Sequence, residues 1–318
     1  MRNSPLLRSN KKSMTLGGAQ FGMDYGITNT DGQVSLKDAE QIIRQAITDG
    51  IEYIDTAAAY GDSEKVIGKA LEGDWSHRVK IISKMSPFID MTDEQSNDNE
   101  MQLRVRNSVL TSCINLNASS INTIMLHRAN HLHNELIMKE LLALRREGII
   151  ENIGVSIQNS HELEHALSTD NISIIQMPFN IIDFRWDNMI AAVHATKKKR
   201  DLLVHARSSL LQGLLCSSDN QKWKEANILN HQEIILWLNQ KYKQHGKISV
   251  SDLCIGFVNS QDWIDSVVIG IDSMKNLFLN LQSISEPIMS AHAIADILAT
   301  RPMVGVDSLN PSNWKINV

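Results

Sequence analysis

Short apolar runs, mostly β-branched, alternate along this chain with longer stretches whose apolar positions step by three and four residues. SMTLGG (13–18), EYIDTA (52–57), VKIISK (79–84), INTIMLH (121–127), ENIGVS (151–156), SIIQMPF (173–179), LLVHARS (202–208) and SVVIG (266–270) read as eight strands. LKDAEQIIRQAITDG, SEKVIGKALE, NELIMKELLALRREG and HELEHALST read as amphipathic helices between them. Asp49-Gly50 and Glu147-Gly148 supply two helix stops. The strands are near-continuous apolar runs, as expected where both faces of a sheet are covered. Eight such βα units predict an α/β fold closed into one parallel barrel, a (β/α)8 TIM barrel of typically ~250 residues. The surplus falls in extra loops, chiefly KMSPFIDMTDEQSNDNE and residues 214–230, and in a C-terminal helix and tail, 282–318. With no linker and no similar repeat, residues 1–318 read as a single domain. An open doubly wound sheet is the competing arrangement, but no GxGxxG follows an early strand.

A barrel places its functional residues where strands end at their C-terminal side. Asp55, Tyr60, Lys84, His127, Ser156, Gln176, Arg207 and Ser208 fall there, each directly after an apolar run or within a few residues of one. One segment is ambiguous on its own terms: LHRANHLH puts His127, His131 and His133 into seven residues. They could be metal ligands, one catalytic group with two bystanders, or solvated rings, and spacing alone does not choose.

Composition narrows the class. A hydrophobic content of 42% and a charged content of 21% over 318 residues are those of a globular chain. No apolar run approaches the ~18 residues of a membrane span, and the basic N-terminus lacks the apolar stretch of a secretory signal. Three scattered cysteines without a CxxC argue against a disulfide framework or a cysteine zinc site, so a cytoplasmic setting is expected. A net charge of −5 argues against nucleic-acid or membrane partners. The one basic run, KKKR at 197–200, reads as a helix C-terminus complementing the macrodipole.

The most informative segment is YIDTAAAYGDSEKVIGKAL, which resembles the aldo-keto reductase signature D-T-A-x-x-Y-G-x-S-E. Lys84 in IISK, His127 in IMLH, then NIGVS, IIQMPFN, SSLLQGLL and VVIGIDSMKNLFLNL follow in family order, so the resemblance covers about residues 14–281. It implies an NAD(P)H-dependent oxidoreductase that reduces an aldehyde or ketone by hydride transfer. Tyr60 would be the general acid, and Asp55 would hold Lys84 charged beside it. A free tyrosine, with a pKa of ~10, is a reluctant acid, and a neighbouring ammonium favours its phenolate. His127 would polarise the carbonyl, and together with Tyr60 would stabilise negative charge on its oxygen.

The resemblance also implies a cofactor site. Ser156 and Gln176 match the residues that hold the nicotinamide carboxamide, while Ile157 stands where asparagine is frequent. Arg207 occupies the place of a ring that stacks on nicotinamide. Ser208, Leu210, Gln212 and Gly213, with Gly270, Ser273, Lys275 and Asn276, fall in segments resembling those that hold the phosphates through backbone N–H groups and a helix N-terminus. Asn280 matches an adenine-contacting amide, Leu279 replaces a frequent acidic residue, and Gly18 and Ala19 follow the first strand. NADPH is the family's usual cofactor and NADH an alternative, since the arginine common among NADPH users is replaced by Asn276. The pocket is expected to draw on Gln20, Phe21, Tyr25, Met85, Phe88 and the loop from Arg128 to Asn134, with Trp314 either reaching it or packed on the barrel wall. Few aromatics, 5% overall, tilt the substrate towards a polar carbonyl such as a keto-sugar or aldose. The expected partner is that small molecule, with no metal, and the protein a monomer or weak homo-oligomer. Two other readings stay open: a non-catalytic, regulatory nucleotide-binding barrel, and a metal-dependent barrel hydrolase using the histidine cluster. Against the hydrolase, His131 and His133 share one loop and no HxH ends the first strand. On this reading His127 is the carbonyl-polarising residue, and His131 and His133 are rim or solvent neighbours.

Overall fold

The apolar runs form eight parallel strands in chain order around a closed barrel. They are β1 (Ser13–Gly17), β2 (Tyr53–Asp55), β3 (Lys80–Lys84), β4 (Ile121–Leu126), β5 (Ile150–Ser156), β6 (Ile172–Pro178), β7 (Leu203–Arg207) and β8 (Ser266–Gly270). The computed structural model describes residues 13–87 and 98–314. Strand β8 returns to β1 and closes the barrel, with Gly17 opposite Gly270. The strands lie within two residues of their apolar runs.

Alternation along each strand splits the apolar residues into two cores. In β4, Met125 points inward with Tyr53, Ile82, Ile174 and Leu203, a small plug filling the middle of the barrel. Its neighbours Ile124 and Leu126 point outward into the larger core shared with the helices. The helix Leu36–Thr48 shows how that outer core is built. Ser35 caps it by accepting from the Asp38 N–H, and Ala39, Ile42, Ile43, Ala46 and Ile47 form its buried stripe. Each isoleucine contributes at most about 1.5–3 kcal/mol by leaving water. The helix Glu135–Arg146 repeats the scheme, capped by Asn134 and burying Ile137, Leu141 and Leu144. Gly50 and Gly148, with φ of 90° and 77°, end these two helices as their Asp-Gly and Glu-Gly pairs predict.

Other helices were not legible in the pattern. Asp98–Asn115 begins inside the segment read as a loop. Its apolar residues do not keep to one face: Val105 and Val109 are buried, while Leu103 and Ile114 are exposed. Between β7 and β8 the chain adds helices Asn220–Glu225, His231–Gln244 and Val250–Asn259. The basic run does end a helix, Ile190–Lys199, and it also ties the fold. Lys197 pairs with Asp265 just before β8, and Arg200 donates to the carbonyls of Ile172 and Ala166. After helices Met274–Ser285 and Ala291–Thr300 the tail packs back. Trp314 is buried in the outer core, its indole N–H donating to the Ser308 carbonyl at 2.8 Å, so it is a wall residue. No helix among the described residues is long and apolar enough to cross a membrane.

Candidate active site

The C-terminal end of the barrel collects the polar strand ends. Asp55 is the last residue of β2 and Lys84 the last of β3. The Lys84 ammonium donates to both Asp55 carboxylate oxygens, at 2.7 and 2.8 Å, and to the Thr56 carbonyl at 2.9 Å. Only 1% of Lys84 and 4% of Asp55 is exposed, so the pair is sealed from water. Burial alone would push the Lys84 ammonium down; the Asp55 carboxylate and Tyr60 outweigh it and hold the lysine above its ordinary value. The Lys84 ammonium lies 4.8 Å from the centre of the Tyr60 ring.

Tyr60 is held by the backbone around it. The short helix Ala19–Gly22 packs directly on its loop, and a Cβ on Gly22 would come 1.9 Å from the Tyr60 carbonyl oxygen. Gly61, with φ of 55°, meets the Gly22 carbonyl in the same way. Ser63 then ties the loop to β1 by donating to the Gly18 carbonyl, and shares a 2.8 Å hydrogen bond with Thr56. The sequence signal for this support was the Gly-x-Ser after Tyr60, which the signature contains without explaining.

His127 follows β4 directly, and its ring stands edge-on to Tyr60 with centroids 6.1 Å apart. Burial, then the charges of Lys84, Arg207 and Arg128, push its pKa down to about 4. At neutral pH the ring is then neutral. A neutral imidazole has a single N–H to donate, so the ring can hold an oxygen but is no ready source of protons. Its Nδ1 is buried without a hydrogen-bond partner.

Gln176, fully buried on β6, donates through Nε2 to Asp55 Oδ1 at 2.7 Å, while its Oε1 has no partner. A buried amide oxygen left open costs roughly 1–3 kcal/mol, which a ligand amide would relieve. Ser156 ends β5 beside it, in register with Gln176. The neighbouring Ile157 is wholly buried and can offer a ligand nothing polar. Arg207 ends β7 and donates to the Ile157 carbonyl at 3.2 Å, which fixes its guanidinium at the rim. The following loop holds an unusual run of left-handed residues: Ser208, Leu211, Gln212 and Gly213 have φ of 63°, 48°, 55° and 87°. Such strain, about 1–3 kcal/mol per non-glycine residue, concentrates where function requires it; within the loop the Leu211 and Gly213 N–H groups donate to the Ser208 and Leu210 carbonyls, while no such loop bond engages the Leu210 and Gln212 N–H groups.

Across the mouth, Gln20 lies against the last residue of β8: a Cβ on Gly270 would come 2.2 Å from its Oε1, an atom that is itself buried and unpartnered. Ala19 is half-buried on the same turn, and Leu210 is half-buried on the facing loop. Ser273 caps the helix Met274–Ser285 by accepting from the Asn276 N–H. The Asn276 side chain donates to Asp272, Lys275 is exposed on the first turn, and Asn280 is buried one turn on.

Three pocket expectations need correction. Phe21 and Met85 have no exposed surface and belong to the outer core, because both side chains project between barrel and helices. His131 is likewise buried, since its turn folds back onto the barrel end, whereas His133 is exposed. Tyr25 does face the mouth: burial and the neighbouring Tyr60 raise its phenol pKa, Arg207 opposes the rise, and Gln212 donates to its oxygen at 3.5 Å. Arg128 is exposed at the rim. Phe88 lies outside the described residues. Among the described residues no cluster of three metal-ligating groups is present.

Residues 13–299 match the family model described as the aldo/keto reductase family. The chain is similar to the aldo-keto reductase YhdN of Bacillus subtilis, 26% identical over 65% of this chain and 60% of that one. It is also 26% identical to D-arabinose 1-dehydrogenase of Saccharomyces cerevisiae, over 85% of this chain and 82% of the relative. Its fold is similar to that of aldo-keto reductase AKR11C1 from Bacillus halodurans in its holo form, with a TM-score of 0.72 and 18% identity over 92% and 93% of the two chains. An aldo/keto reductase from Klebsiella pneumoniae, solved with NADP and acetate, superposes with a TM-score of 0.68 at 16% identity over 92% of each chain.

Proposed function

The chain belongs to the aldo/keto reductase family, and from that premise we propose that it reduces a small polar aldehyde or ketone to an alcohol with NADPH. The observation that carries this reading is the sealed Asp55–Lys84 ion pair with Tyr60 against its ammonium at the open end of the barrel.

Tyr60 gives its proton to the carbonyl oxygen, and Lys84 lies beside the phenolate left behind. A buried cation stabilises that charge more than an exposed one because little water screens it. Asp55 keeps the lysine charged and points it at the ring. His127, neutral, steadies the same oxygen with its single N–H, so acid and orienter are distinct groups. The cofactor, when bound, supplies the hydride. The residues present fit it: the open Oε1 of Gln176 matches a carboxamide N–H, and the left-handed loop 208–213 and the helix starting at Met274 suit phosphates. Lys275 stands where a 2′-phosphate would be met by a point charge, so NADPH is favoured with NADH accepted. Arg207 is a poor stacking partner for oxidised nicotinamide and a good one for an anionic or hydroxylated substrate. With the polar rim of Tyr25, Gln212 and Arg128, it favours a keto-sugar or aldose. The sugar substrate in the name of the yeast relative agrees with this class.

The test is a cofactor-oxidation screen over aldehydes, ketones and keto-sugars, with NADPH and NADH titrated against tryptophan fluorescence. Binding of NADPH with turnover of hydroxylated carbonyls is expected. Failure to bind either nucleotide would remove the reading. Binding without turnover of any carbonyl would reduce the protein to a nucleotide-binding barrel.

A further inference from the structure

On the same end of the barrel, one turn beyond β5, the helix Ser160–Ser168 carries the segment HELEH, His161 to His165. Residues four apart share a helix face, and the packing of this helix turns that face outward. Leu163 and Ala166 are buried beneath it. At its start, Asn159 accepts from the Glu162 N–H at 2.9 Å and the Glu162 carboxylate accepts from the Gln158 N–H at 2.6 Å. The helix is therefore fixed in rotation, with His161 exposed and His165 half-exposed beside it.

The two Nε2 atoms lie 3.4 Å apart, and the ring centroids 4.6 Å. Two nitrogens each about 2.0–2.1 Å from a tetrahedral ion are themselves separated by about 3.4 Å. The pair thus already has the bite of a two-nitrogen chelate for a tetrahedral ion, and a small turn of the exposed His161 ring closes it to the square angle that Cu2+ and Ni2+ take. His133, from the turn after β4, sets its ring edge-on to His165 with centroids 4.6 Å apart and packs against one side of it. The Glu162 carboxylate is engaged at the helix cap, so the segment lacks the activating base that the same spelling provides in zinc proteases.

We propose that His161 and His165 form a surface chelate for a late first-row divalent ion, Cu2+, Ni2+ or Zn2+. Imidazole nitrogen suits these ions, and hard Mg2+ prefers oxygen. Water completes the coordination, since no three ligating side chains converge among the described residues. The site is separate from the Asp55–Lys84–Tyr60 group and does not depend on the reductase reading.

Calorimetric titration of the untagged full-length protein with Cu2+, Ni2+, Zn2+ and Mg2+ tests it. Cu2+ should bind most tightly and Mg2+ not at all. His161→Ala and His165→Ala should each weaken Cu2+ and Zn2+ binding roughly tenfold or more, because either change turns a chelate into a single contact. The copper paramagnetic-resonance spectrum should show two nitrogen ligands in the native protein and one in either variant. Thermal melting should be unchanged in both, as the side chains lie on the surface. Absence of Cu2+, Ni2+ and Zn2+ binding at millimolar ion, or variants that bind like the native protein, would overturn the proposal and leave the pair hydrogen-bonded to each other.

Discussion

The barrel interior buries two sets of polar groups, and only one of them closes on itself. Inside the barrel Thr15 bonds Ser266 at 2.7 Å and His205 at 3.4 Å, Ser266 donates to the Ser13 carbonyl, and the His205 ring packs edge-on against Tyr53. These groups are neutral: burial, then the charge of Lys197, push His205 down to about 3. The C-terminal end carries a full ion pair and leaves Gln176 Oε1, Gln20 Oε1 and His127 Nδ1 unsatisfied. A network that completes itself adds stability and uniqueness. One that stops short leaves polar atoms for water or a bound group to satisfy. The two sets share strands and burial, and differ in whether the last hydrogen bond is made within the protein.

That contrast is broken most sharply at the mouth. Tyr60→Phe should lower carbonyl reduction by about 10²–10⁴-fold while NADPH binding and Tm stay near native; stopped-flow reduction beside fluorescence titration checks this. Asp55→Asn should damage both activity and fold. It leaves Lys84 as a buried cation without its counter-charge, a loss of about 3–5 kcal/mol, to be read from urea unfolding. Retained stability in that variant would show that water reaches the pair.

Acid should strike both sets. His127 and His205 are held neutral, at about 4 and about 3 against an ordinary 6.5. As pH falls through 6.5 the unfolded chain takes up protons that the native protein refuses until those lower values. Stability is thus complete above 6.5 and is lost on acidification below it, so urea midpoints should fall steadily as pH drops towards 4. Gln176→Ala should raise the NADPH dissociation constant by about tenfold, roughly the value of one buried hydrogen bond, as fluorescence titration would measure. The smallest effect on chemistry belongs to the closed set. His205→Leu should leave kcat within about twofold of native and cost about 1–2 kcal/mol at neutral pH, while flattening part of the acid dependence.

Much of this was legible in the chain, for a local reason. The strands were visible because each is a short apolar run set between longer stretches of helical period. Asp55, Tyr60, Lys84 and His127 were visible because a barrel puts strand ends on one rim. The helix Asp98–Asn115 was not visible, because its apolar residues do not follow a single stripe. The burial of Phe21, Met85 and His131 was hidden too, since nothing local says which way a side chain leaves a strand end. Nor does any motif record that Gln176 reaches Asp55: they stand on β2 and β6, whose inward residues share a layer only once the barrel has closed.

Sequence by itself determined the eight-fold repeat, the parallel barrel and the order of candidate residues, because periodicity and spacing are properties of the chain. Only the tertiary structure decided which polar atoms are sealed, which charges meet and which hydrogen bonds are missing. Burial sets the strength of the Asp55–Lys84 attraction and the neutrality of His127, and burial is a property of everything packed around a residue.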